Sequence, residues 1–97
     1  MAFNFDSNNY VWGRALNPWN HKKSAGGSSG GEAAAIAARI APIGIGNDMA
    51  GSLRIPAAFN GIYALMPSAD RLPFWGQITY ILNYLENIQD LFLGWIQ

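Results

Sequence analysis

The sequence has no cysteine and a single histidine, His21, in 97 residues. The first absence removes disulfides and thiolate metal ligands and is compatible with a reducing compartment. The second leaves no histidine-based triad unless His21 itself serves, and a lone histidine between Asn20 and Lys22 reads as a solvated side chain. Charge is also scarce: 12% of residues are charged, against about a quarter in an ordinary soluble domain. Six basic groups balance six acidic ones, so the chain carries no net pull toward nucleic acid or an anionic membrane. Met1 to Asp6 has neither a basic start nor a long apolar run, so a cytoplasmic location is expected. There is no internal repeat, no metal-ligand cluster and no glycine loop ending in Gly-Lys-Ser/Thr, so neither metal nor cofactor is expected.

What the chain has in quantity is apolar surface and glycine. Hydrophobic residues make up 51% of it, a composition suited to a piece of a larger core, since a chain this short buries a small share of its surface. The glycines cluster in two serine loops. The first reads Ser24-Ala25-Gly26-Gly27-Ser28-Ser29-Gly30-Gly31-Glu32, and the second runs from Gly46 through Asn47-Asp48-Met49-Ala50-Gly51-Ser52-Leu53-Arg54 to Pro56. By composition alone the first is a flexible linker. Its continuation points elsewhere, because Ser29 and Glu32 have capping-box spacing and lead into the helix formers Ala33 to Arg39.

Together the two loops resemble the amidase signature family, whose members carry a GGSSGG loop and a G-[ST]-D-[IM]-[AG]-G-S-[IL]-R-x-P loop at this separation. The likeness extends from about Val11 to about Gln77, through Asn17-Pro18-Trp19 before the loops and Asn60-Gly61 to Pro73 after them, and is greatest to the fungal acetamidase branch. It implies an α/β fold, a mixed sheet flanked by helices, of which these residues are a fragment. It also implies hydrolysis of the carbon–nitrogen bond of a small-molecule amide by a Ser-cis-Ser-Lys relay. On that likeness Ser52 is the nucleophile and Ser28 the bridging serine after a cis peptide from Gly27. Backbone N–H groups of Met49, Ala50, Gly51 and Ser52 form the oxyanion hole, and Gly27, Ser29, Asp48 and Arg54 shape the loops. In the family the lysine lies upstream of the glycine-serine loop, and neither Lys22 nor Lys23 matches it. The sequence departs from the family pattern at Asn47, Ile40, Ala41, Met66 and Asn83-Tyr84. A non-catalytic, self-associating remnant is the alternative.

The residues themselves set element boundaries. Residues 1–10 read as a loose lead-in, 11–77 as the signature region and 78–97 as an amphipathic helix. Tyr10 to Trp12 is expected as a short strand ending at Gly13, and Asn17 to Ser24 as loop. A helix is expected from Gly30 to Ile40, a short buried strand from Ile43 to Gly46, a helical segment from Leu53 to Phe59 and a strand from Gly61 to Leu65. Ile78, Ile81, Leu82, Leu85, Ile88, Leu91, Phe92 and Trp95 recur at helical spacing. Their polar face lacks Lys and Arg, which favours packing on a core over lying on a membrane.

Overall fold

The computed structural model describes residues 4–68, 71–72 and 92–96. Two antiparallel hairpins open it. In the first, β1 (Asn8–Asn9) pairs with β2 (Gly13–Arg14). Tyr10, Val11 and Trp12 are its turn rather than a strand, because Asn9 Oδ1 accepts the N–H groups of Val11 at 3.0 Å and Trp12 at 2.8 Å. Such a turn gives the backbone local partners that a strand must find elsewhere. In the second, β3 (Leu16–Asn17) pairs with β4 (Asn20–Ser24), where loop was expected. Its residues are polar, but Pro18 sets the turn and Asn17 Oδ1 accepts the Trp19 N–H at 2.9 Å. Turn chemistry, not burial, holds this pairing.

Helix α1 (Gly30–Ala37) starts where expected and ends early. Arg39 takes a left-handed φ of 61°, its N–H reaches Ile36 O at 2.9 Å and the Ile40 N–H reaches Ala35 O at 2.9 Å. These bonds satisfy the last helical carbonyls and stop the helix. The chain then forms β5 (Gly44–Asp48), helix α2 (Arg54–Asn60) and β6 (Ala64–Leu65). Pro56 is the third residue of α2, where a missing N–H loses no helical bond. Gly61 closes α2 at φ 69°, donating its N–H to Ala57 O, so the strand expected from Gly61 begins only at Ala64.

The amphipathic helix expected over 78–97 is corrected at its end, where β7 (Phe92–Ile96) is a strand. The rest of that helix lies outside the described residues. Aromatic and β-branched residues favour strands, and Gly94 would weaken a helix interior by about 1 kcal/mol. β7 sits between β5 and β6 and runs antiparallel to both, with Gly46 opposite Gly94 and Ala64 opposite Ile96. α1 packs against α2 over the buried side chains of Ala33, Ile36 and Leu53, ringed by Ala41, Ile62 and Ala64. β5 is buried only at Gly44 and Asp48, while Ile45 is 60% exposed. The strand was expected to be buried throughout, but the small core lies on one side of it.

Candidate functional site

The glycine-serine loop rests on the first residues of the chain. Ala25, Gly26 and Gly27 are buried, Ser28 and Ser29 half-buried, and the Gly27–Ser28 peptide is cis. A Cβ at Gly27 would lie 2.6 Å from Asp6 N and 2.7 Å from Asn4 O, so glycine is what lets the two backbones meet. The expected loose lead-in is therefore the floor of the loop. Ser7 donates its N–H to Gly26 O at 3.1 Å and accepts the Ala15 N–H at 2.8 Å. The Ser24 hydroxyl donates to the Asp6 carboxylate and accepts the Gly26 N–H at 2.9 Å, while Arg14 Nε pairs with Asp6 at 2.9 Å. The Ser24 hydrogen bond, helped by Arg14, holds the Asp6 carboxyl below its ordinary value.

Ser29 occupies the cap position of α1 but makes no side-chain capping bond, so the capping box read from its spacing to Glu32 is not formed. Ser7 Oγ takes the Gly30 N–H instead, at 2.9 Å. Glu32 turns toward β5, where its side chain fills the space that a Cβ at Gly44 would need.

The second loop is wound around one carboxylate. Asp48, fully buried at the end of β5, accepts Gly51 N–H at 2.6 Å on Oδ1, with Leu53 N–H at 3.2 Å and Arg54 N–H at 3.1 Å on Oδ2. Arg54 closes on it bidentately, Nε to Oδ2 at 2.8 Å and Nη2 to Oδ1 at 2.9 Å. The guanidinium is the main cause holding the carboxyl far below its ordinary 3.8, and the three backbone donors add to it against the opposing effect of burial. Asp48 raises the Arg54 pKa in turn. The carboxylate thus receives the first N–H of α2 and bends the chain so that half-buried Ser52 sits at its crest. Met49 is 46% exposed beside it. The Gly51 N–H is committed to Asp48 Oδ1.

The loops are joined by a hydrogen bond from the Ser29 N–H to the Ser52 carbonyl at 3.1 Å. Beneath them β5 passes close enough that a Cβ at Gly46 would lie 2.9 Å from Ser29 Cβ and 3.0 Å from Leu53 Cδ2. Ser28, Ser29, Asp48, Ser52 and Arg54 are thereby gathered into one region. His21, Lys22 and Lys23 lie exposed on β4, outside it. The sequence reading missed Asn60, fully buried, whose Nδ2 donates to Ala25 O and Pro56 O, both at 2.7 Å. It also missed the Trp19 Nε1 bond to Asn60 O at 2.7 Å and the Asn17 Nδ2 bond to Phe59 O at 2.6 Å. Asn60 ties the start of the glycine loop to the end of α2, and Asn17 and Trp19 tie the second hairpin to the same helix end. Their signal was a polar residue between Phe59 and Gly61 at the end of an apolar helix.

Two serine loops crossed over a strand and locked between two helices define an α/β site of the signature type. The amidase family profile matches residues 1–90, and the chain belongs to that family. It is 53% identical over 76 residues to Amidase FG08078 of Gibberella zeae, covering 78% of this chain and 14% of that one. It is 56% identical over 68 residues to the acetamidase of Aspergillus oryzae, covering 70% of this chain and 12% of that one. Among solved structures, 6-aminohexanoate cyclic dimer hydrolase complexed with substrate superposes with a TM-score of 0.86 at 35% identity, over 99% of this chain and 19% of that one. The chain thus spans under a fifth of the length of each of these relatives.

Proposed function

We propose that these residues are the nucleophile-bearing part of a hydrolase that cleaves the carbon–nitrogen bond of small carboxamides. Ser52 Oγ attacks the amide carbon and passes its proton to Ser28, whose own proton goes to a neutral lysine supplied by chain outside these 97 residues. The tetrahedral oxyanion is met by backbone N–H groups of the second loop, those of Met49, Ala50 and Ser52, since Gly51 serves Asp48. Ser28 then protonates the leaving nitrogen as the bond breaks, and water hydrolyses the Ser52 ester by the same relay. The observation that carries this reading is the Ser29 N–H bond to the Ser52 carbonyl, which fixes the candidate nucleophile against the residue that follows its candidate proton carrier. Membership of the amidase family and the amide chemistry named in the relatives support it.

The test is release of ammonia or amine from short aliphatic amides by the full-length gene product. Ser52→Ala abolishes it and Ser28→Ala lowers turnover by a hundredfold or more, the order expected for a lost proton-transfer group. Hydrolysis undiminished in Ser52→Ala contradicts the assignment. A second reading, a non-catalytic part that associates through apolar surface, draws on the exposure of Ile40 (79%), Tyr63 (82%) and Leu65 (62%). It predicts no hydrolysis by the wild type in any assembly.

A further inference from the structure

We propose that Ser7 is a positioning residue for the Ser28 proton relay, an inference that rests on the hydrolase reading above. Its hydroxyl is a bracket across the glycine-serine loop: it donates to the Ser28 carbonyl at 3.0 Å and accepts the Gly30 N–H at 2.9 Å. The one hydroxyl hydrogen is therefore spent on Ser28, and a lone pair receives Gly30. The two bonds fix the peptide planes on either side of Ser29. Ser29 is the residue whose own N–H reaches the Ser52 carbonyl at 3.1 Å, so Ser7 sets the geometry between both candidate reacting serines without facing either hydroxyl.

Ser7 is itself held. Its N–H donates to Gly26 O at 3.1 Å, and its neighbour Asp6 is clamped by Ser24 and Arg14. A Cβ at Gly30 would lie 2.6 Å from Ser7 Oγ, so the loop closes onto the hydroxyl with no room for a side chain at position 30. A side chain that only filled space would not need to present a donor to one carbonyl and an acceptor to one amide two residues apart. Its removal leaves both groups of a half-buried loop without this partner.

The test uses the full-length gene product and compares Ser7→Ala with Ser7→Thr, which keeps the hydroxyl. With a short aliphatic amide, Ser7→Ala lowers kcat roughly tenfold while KM moves less than about twofold, because the lost bonds orient the relay rather than the substrate. Ser7→Thr restores most of kcat. Amide hydrogen exchange at Gly30 and Ser29 speeds up in Ser7→Ala and not in Ser7→Thr, a readout that does not depend on turnover. An active wild type with kcat unchanged in a folded Ser7→Ala overturns the positioning role and leaves the hydrolase standing. Failure of Ser7→Thr to rescue a folded protein also overturns it, reducing Ser7 to a packing residue. A wild type that exchanges normally but hydrolyses no amide overturns the hydrolase reading and the inference with it.

Discussion

Asp48 carries the most interactions of any single residue in the second loop, and it does so as an anion. Replacing it with Ala leaves three backbone donors without their acceptor at a fully buried position, a loss on the order of 3 kcal/mol. Arg54→Ala is expected to be milder, because the guanidinium is more than half exposed and the backbone donors remain to hold the carboxylate. The Asp48 pKa in the folded state lies below its unfolded value, so its stabilisation is fully present above the ordinary carboxylate range. It is lost as pH falls from about 5 toward the depressed folded value. Denaturant midpoints of the full-length gene product measured from pH 7 to 3 should therefore fall in the wild type and be flatter in Asp48→Asn; equal slopes would contradict the burial and pairing described. Arg39 makes the opposite case, a side chain at left-handed φ where glycine is relaxed. Arg39→Gly should raise stability by about 0.5 kcal/mol, read as a small upward shift in melting temperature, the relief at φ 61° outweighing the entropy glycine adds to the unfolded chain.

At the scale of elements, the two helices hold the loops through Leu53, fully buried between α1 and α2 at the foot of the serine loop. Leu53→Ala should cost about 3 kcal/mol and loosen both loops together, detectable as faster amide exchange at Ser29 as well as at Gly51. Exchange changing only at Gly51 would show that the loops are not mechanically joined. Both helices were legible from sequence because their signals are local: an alanine-rich run after Gly31, and Pro56 before an apolar stretch. The strands were harder. β5 was found nearly in place from its apolar start and glycines, but the hairpins were missed because side-chain turns at Asn9 and Asn17 override propensity. β7 was missed because Phe92 and Trp95 fit helical spacing as well as a strand, and only pairing with β5 and β6 decides between them. The candidate site was legible through its motif. The floor beneath it was not, since contacts of Asp6 and Ser7 with residues about twenty positions later leave no periodic trace.

At the scale of the whole molecule, the core formed by the described residues is small and the surface around it is apolar. Ile40, Ile43, Ile45, Tyr63 and Leu65 are each at least half exposed. Leaving about 300 Å² of apolar area wet forgoes roughly 7 kcal/mol, comparable to the entire stability of a small domain. The 97 residues produced alone are expected to self-associate or melt without cooperativity; a monodisperse monomer by sedimentation with a sharp thermal transition would make them an independent domain. Reactivity is expected to depend on context as well, since in the proposed relay the lysine comes from outside these 97 residues. The most direct test of the account is reaction of the full-length gene product with a fluorophosphonate probe, followed by peptide mapping of the adduct. The account predicts stoichiometric phosphonylation of Ser52, strongly slowed in Ser28→Ala and absent when the 97 residues are treated alone. An adduct on any other residue, or rapid labelling of Ser52 in the isolated chain, would contradict it.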